Sequence, residues 1–211
     1  RTQTQNAHRL RRIILKDKIS AKQEFIDIFK ENIKRPGSEK LLEWLSQSDF
    51  FIAPASTKYH SAFEGGLVQH SLNVYKLLKK RCAEYGITDG ESIAICGLLH
   101  DICKANFYTI SYRNAKNERG QWEKVPYYTV DDQFPFGHGE KSVFVVERFM
   151  RLRENEAIAI RWHMGGFDEA AKSGGFSISH AYEKYPLAVL LHMADLEATY
   201  LSEQGPAESI V

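Results

Sequence analysis

The stretch ESIAICGLLHDICK, residues 91–104, decides how this chain is read. From Ile93 to Leu99 it is an apolar run, with Asp89 or Gly90 as its helix start. The run ends on His100-Asp101, side chains that a core rejects unless they are paired or bound. Adjacent helical residues point about 100° apart, yet at a helix end both can reach ions lying off the terminus. Outward from this stretch the same anomaly recurs. His70 lies inside GGLVQHSLNV, His138 between glycines in FGHGEKS, His163 after an apolar run in AIAIRWHM, and Asp195 within VLLHMADLEA. A single histidine on an apolar helix is ordinarily a satisfied core or surface residue. Six such residues on several apolar helices predict a divalent metal, because imidazole nitrogen and carboxylate oxygen are its ligands and its charge keeps the aspartates ionised.

The surrounding pattern is mostly helical. IILKDKISAKQEFIDIFKENI carries Ile19, Phe25, Ile26, Phe29 and Ile33 at helical spacing, and Pro36-Gly37 breaks it. SEKLLEWLSQSDFF predicts a second helix with Ser38 as N-cap. LVQHSLNVYKLLKKRCAEYG predicts a third, with Gly86 at its C-terminal end. Then FYTISYRN and WEKVPYYTVDD alternate in a strand-like way around the polar AKNERGQ, predicting a β-hairpin over about 107–130. GEKSVFVVERFMRL and ENEAIAIRWHM return to helix, and residues 164–182 read as a Gly- and Ser-rich loop. PLAVLLHMADLEATYLSEQG is the last helix, with Pro186 in its first turn.

Composition narrows the class. The 211 residues are 43% hydrophobic and 12% aromatic, enough for a sizeable core. With a net charge of +1, global charge favours no partner. Cys82, Cys96 and Cys103 have no CxxC spacing and read as core residues, which suits a reducing cytoplasm. There is no run of about 18 apolar residues, so no membrane partner is expected. The basic start, RTQTQNAHRLRR, with His8, has no apolar region of signal-peptide type.

His70, His100-Asp101 and Asp195, with GGLVQHS upstream, GLLHDICK around the pair and MAD downstream, resemble the H…HD…D pattern of HD-domain metal-dependent phosphohydrolases. The resemblance covers roughly residues 58–200. It implies a helical bundle around a metal centre, with the β-hairpin as a small insertion. Residues 1–57 become an N-terminal helical extension and 58–205 the HD phosphohydrolase domain. His138 and His163 extend the pattern to H…HD…H…H…D, which resembles the branches holding two ions, iron or manganese first, with magnesium, cobalt, nickel or zinc as alternatives. Carried over, one ion takes His70, His100, Asp101 and Asp195, and the other Asp101, His138 and His163. Lys104 matches the lysine of the family's HDxxK and, with Asp101, makes the catalytic pair.

Lys141, His60 and Arg161 are candidates for substrate binding, and His192 for a supporting position, while His180 carries no motif support. The resemblance implies hydrolysis of a phosphoester or phosphoanhydride bond in a nucleotide or related small phosphorylated substrate by metal-activated water. GGLVQHS and the GH of FGHGEKS also resemble HD-domain 3′→5′ exoribonucleases, which makes single-stranded nucleic acid the alternative partner. Those enzymes carry an OB-fold upstream, where this chain reads as helices. A non-catalytic regulatory HD module is the third reading, and oligomeric state is left open. The hairpin leaves the chain three residues after Lys104 and returns before His138, so it must emerge beside the metals, with Phe107, Tyr108, Tyr112, Trp122, Tyr127 and Tyr128 along its arms.

Overall fold

The computed structural model describes residues 21–59 and 61–203; Ile19, the basic start with His8, His60 and the residues after 203 lie outside that description. Helix α1, residues 21–32, turns Phe25 and Phe29 inward. The Phe25 ring sits 5.2 Å from Phe50 and 5.5 Å from Phe51. Helix α2 (Ser38–Gln47) buries Leu41, Leu42 and Leu45. Ser38 is its first helical residue rather than its cap, because Gly37 takes the cap position at φ 92°, which a serine avoids. Phe25, Leu41 and Phe50 join the same buried cluster as Leu67, Ile95 and Leu191.

Helix α3 (Gly66–Glu84) carries His70, and α4 (Gly90–Leu99) is the apolar run, buried from Ser92 to Leu99. Asp89 caps α4 by accepting the Ser92 N–H. The two helices touch backbone to backbone at Gly97, where a Cβ would lie 2.6 Å from Tyr75 Cα. Only glycine permits that approach, which sets His100 just past the end of α4 against His70 on α3. Gly66 is equally constrained, since a Cβ there would lie 1.9 Å from the Ser61 carbonyl oxygen.

A 3₁₀ turn (Ile102–Lys104) leads into strands β1 (Tyr108–Lys116) and β2 (Trp122–Val130). They pair antiparallel with Ile110 opposite Tyr128 and Asn114 opposite Lys124. Asn117 shapes the tip, its side-chain oxygen accepting from the backbone of Arg119 and Gln121. At the other end Asn106, with φ 55°, exchanges backbone-to-side-chain hydrogen bonds with Asp49 and so ties the ribbon to the segment after α2.

Helices α5 (His138–Glu147) and α6 (Glu154–Trp162) follow. The segment expected as a loop over 164–182 is largely helical: a 3₁₀ turn (Gly165–Phe167), then α7 (Glu169–Lys172) and α8 (Ser177–Lys184). The Asp168 side chain caps α7 on the Ala170 N–H, so a local hydrogen bond overrides the weak helix propensity of a Gly- and Ser-rich sequence. Helix α9 (Pro186–Glu197) ends in a π-helical turn (Ala198–Ser202). No helix among the described residues is long and apolar enough to cross a membrane.

Candidate metal centre

All six predicted ligands stand within helices or at helix ends, and they converge. His70 Nε2 lies 3.2 Å from His100 Nε2 and 3.2 Å from Asp195 Oδ1. Asp101 lies between two groups. Its Oδ2 faces His70 and His100 at 3.6 and 3.7 Å, and its Oδ1 faces His138 and His163 at 2.7 and 3.4 Å. The α4 helix ends just before this pair, so neighbouring side chains reach the same centre from a chain that has stopped winding.

The proton positions follow from the partners. His100 Nδ1 is 3.0 Å from the Gly97 carbonyl and His163 Nδ1 is 2.6 Å from the Ile160 carbonyl. Carbonyls only accept, so both Nδ1 atoms carry their hydrogens and both Nε2 atoms of the neutral rings present lone pairs. His70 Nδ1 donates likewise to Glu203, at 3.0 Å from Oε1. The centre therefore gathers the Nε2 atoms of His100 and His163 with the carboxylates of Asp101 and Asp195, while the Nε2 atoms of His70 and His138 donate to those carboxylates and would have to give up a proton to an incoming ion. His163 Nε2 is buried and has no hydrogen-bond partner among the described residues. Such a set repels itself unless positive charge enters. A divalent cation fits, and His70, His100 and Asp195 offer donor atoms all within 4.8 Å of one another, as do His100, Asp101 and His163.

Electrostatics point the same way. Burial opposes charge on His70, but Asp195 and Glu203 outweigh it and raise its pKa to about 10. His138 rises to about 10 for the same kind of reason, burial being outweighed by Cys103 and Asp101. With no carboxylate among the described residues hydrogen-bonded to it, His100 is driven by burial down to about 3. Burial also works against ionised Asp101, yet Lys104 and the surrounding histidines hold its carboxyl well below the usual range.

Glu203 carries no motif that would single it out in the sequence. The π turn after α9 adds a residue to the helical path, closed by the Glu203 N–H on the Ala198 carbonyl, and swings this carboxylate onto His70, Asn73 and Ser61. Ser61 holds its hydroxyl there from a left-handed backbone, φ 46°. A carboxylate on the far nitrogen of a metal-binding imidazole fixes its tautomer and orientation. Glu203→Gln is therefore expected to weaken metal affinity by about 10- to 100-fold, measured by competition with a chromophoric chelator. An unchanged affinity would show that Glu203 only packs.

Beside the cluster opens a cavity of about 710 Å³, walled in part by Asp101, Lys104, Phe107, Tyr108, Phe167, His192 and Tyr200. Lys104 Nζ sits 2.6 Å from Asp101 Oδ2. His192 donates through Nδ1 to the His163 carbonyl and so props the neighbouring ligand. Two expected substrate-binding residues stand elsewhere. Lys141 pairs with Asp132 and lies over the Phe107 ring, 5.0 Å from its centroid, pinning the hairpin base. Arg161 is held by Glu140 and Asp168 and stacks on Trp162. Neither lines the cavity, because each long side chain finds a nearer carboxylate.

The HD domain family profile matches residues 67–200, which contain all six ligand candidates. The chain belongs to the HD domain family. Among curated proteins, the dihydroneopterin 2′,3′-cyclic phosphate phosphodiesterase of Methanocaldococcus jannaschii is 32% identical over 84 residues, covering 37% of this chain and 31% of that one. The chain thus spans about a third of that relative's length. No solved structure matched the chain.

Proposed function

We propose that this HD domain is a metal-dependent phosphohydrolase that cleaves a phosphoester or phosphoanhydride bond in a nucleotide or a related phosphorylated heterocycle. The observation that carries the proposal is Asp101, whose two oxygens face two separate histidine groups at the mouth of an open cavity. In this proposal His70, His100, Asp101 and Asp195 would hold one ion, and Asp101, His138 and His163 would hold a second. Divalent ions so held polarise phosphoryl oxygens and lower the pKa of bound water towards neutrality. Lys104, facing the cavity from beside Asp101, neutralises a phosphoryl oxygen as charge builds in the transition state. Glu203 and His192 keep their ligands oriented. The aromatic walls at Phe107, Phe167 and Tyr200 suit a flat heterocycle, which nucleotides share with the cyclic phosphate named for the Methanocaldococcus relative.

The test is an assay of the metal-loaded protein against mononucleotides, 2′,3′-cyclic nucleotides, dinucleoside polyphosphates, cyclic dinucleotides and short labelled oligonucleotides. Chelator-sensitive hydrolysis of at least one small phosphate ester supports the proposal. Folded, metal-loaded protein that hydrolyses none of them overturns it, and the non-catalytic regulatory module then takes its place.

Single-stranded nucleic acid stays as a second reading because of the ribbon. Tyr112 and Trp122 are exposed on the face that Tyr108 continues into the cavity, and Lys116 lies over the Trp122 ring. Exposed aromatics paired with cations stack bases without sequence preference. Among the described residues, however, the tip lies outside the cavity walls, and only the base of the ribbon forms part of them. Replacing residues 114–121 with a short Gly-containing turn is expected to leave metal content and mononucleotide kcat/KM unchanged. A selective fall of about tenfold or more on oligonucleotides would favour the polymeric substrate.

A further inference from the structure

We propose that Cys103 is a thiolate ligand of the second metal position, beside Asp101 and His138. Cys103 is buried in the 3₁₀ turn that follows the HD pair, two residues beyond Asp101. Its Sγ lies beside the His138 ring, 3.5 Å from Nδ1 and 3.8 Å from Nε2, and Nε2 lies 2.7 Å from Asp101 Oδ1. The Asp101, Cys103 and His138 donor atoms all fall within 4.8 Å of one another. Sulfur and nitrogen ligands of one tetrahedral ion stand at about this separation, since metal–sulfur bonds run to about 2.3 Å and metal–nitrogen bonds to about 2.0 Å. From the other side, the buried Nε2 of His163, which has no hydrogen-bond partner among the described residues, faces the same Asp101 oxygen at 3.4 Å.

The other two cysteines lack this setting. Cys82 and Cys96 sit in the apolar core, and the nearest recorded polar contact of Cys96 is a peptide carbonyl 4.0 Å away. All three cysteines are unbridged, so the Cys103 sulfur is available. When an ion enters, the Sγ–H bond breaks, the proton passes to solvent and a sulfur–metal bond forms, with no change of oxidation state.

A soft ligand at this position alters which ion it keeps. Thiolate favours zinc, iron or cobalt over magnesium or manganese, so the two positions of one site differ in metal preference. It also makes the second position sensitive to oxidants, because a sulfenic or sulfinic acid no longer offers the same donor.

The inference rests on the metal reading of the site and is independent of which phosphate ester is cleaved. Its test is titration of the full chain, freed of metal, with cobalt(II) alone, followed by absorption. A sulfur-to-cobalt charge-transfer band in the near ultraviolet is expected for the wild type. It should disappear in Cys103→Ser, with circular dichroism unchanged, and persist in Cys96→Ala. Cobalt-loaded wild type that shows only ligand-field bands overturns the thiolate ligand while leaving the metal centre standing. So does a charge-transfer band that survives Cys103→Ser. Failure to bind cobalt at all overturns both. If Cys103→Ser fails to fold, absence of the band in wild type still overturns the thiolate ligand, and a band that persists when Cys82 and Cys96 are both replaced by Ala assigns it to Cys103.

Discussion

Asp101→Asn is expected to leave less than about a tenth of the wild-type kcat on every substrate hydrolysed, a loss of more than about 1.4 kcal/mol. The two carboxylate oxygens of Asp101 face different histidine groups, with Lys104 also on Oδ2. An amide replaces one of them with a neutral donor. Whichever way it turns, one group of bare nitrogens loses its shared anionic ligand, and Lys104 loses much of the charge that holds it. Asp101→Ala should be still less active. Steady-state rates on the best substrate, with metal content measured alongside, check this. Retention of more than a tenth of the rate would remove Asp101 as a bridge.

The largest stability effect is expected far from the cavity. Glu156 is fully buried at the start of α6 and receives both terminal nitrogens of Arg35, at 2.6 and 2.7 Å. It also accepts from the Ser92 hydroxyl at 2.5 Å and from the Arg153 N–H at 2.7 Å. This one carboxylate joins the segment after α1 to the starts of α4 and α6. Glu156→Ala leaves the Arg35 guanidinium with only partial compensation from Glu91, and should cost about 3–5 kcal/mol in denaturant unfolding. A loss below about 1 kcal/mol would mean that water replaces the carboxylate easily.

The same network contributes to the loss of stability in acid. Burial works against ionised Asp89 and Glu91, but backbone N–H donors and the arginines outweigh it and hold both carboxyls below their ordinary values of 3.8 and 4.5. Their folded-state values are depressed, so their contribution is complete above those ordinary values. It is lost as pH falls through the lower folded-state values. Stability should therefore be flat in this respect near neutrality and decline below about pH 4.5, more weakly in Arg153→Ala.

Much of the architecture was legible because periodicity and punctuation agreed. The hairpin expected over about 107–130 is found at Tyr108–Val130, Pro186 starts α9 as expected, and of the two candidate starts of α4 Asp89 is the cap and Gly90 the first helical residue. The convergence of the candidate ligands had another signal in the sequence: an uncompensated histidine or aspartate in an apolar helix stands out against the cost of burying it. What stayed hidden depended on three-dimensional choice. Glu203 sits 133 residues from His70, and a π turn, which no composition announces, decides where it points. Lys141 and Arg161 looked like phosphate binders by their distance from ligand histidines. Their long side chains instead settle on Asp132, Glu140 and Asp168, a competition that spacing does not resolve. Helices α7 and α8 were missed because a four-residue and an eight-residue helix depend on a cap and on neighbours rather than on a long apolar stripe.

Elemental analysis of protein purified without chelator tests the metal centre most directly. Close to two transition-metal ions per chain are expected, falling towards one in His138→Ala or His163→Ala. A folded wild type that holds at most one ion, unaffected by His138→Ala, contradicts the dinuclear centre. One that holds none, even after equilibration with manganese, iron or zinc, contradicts the metal centre itself.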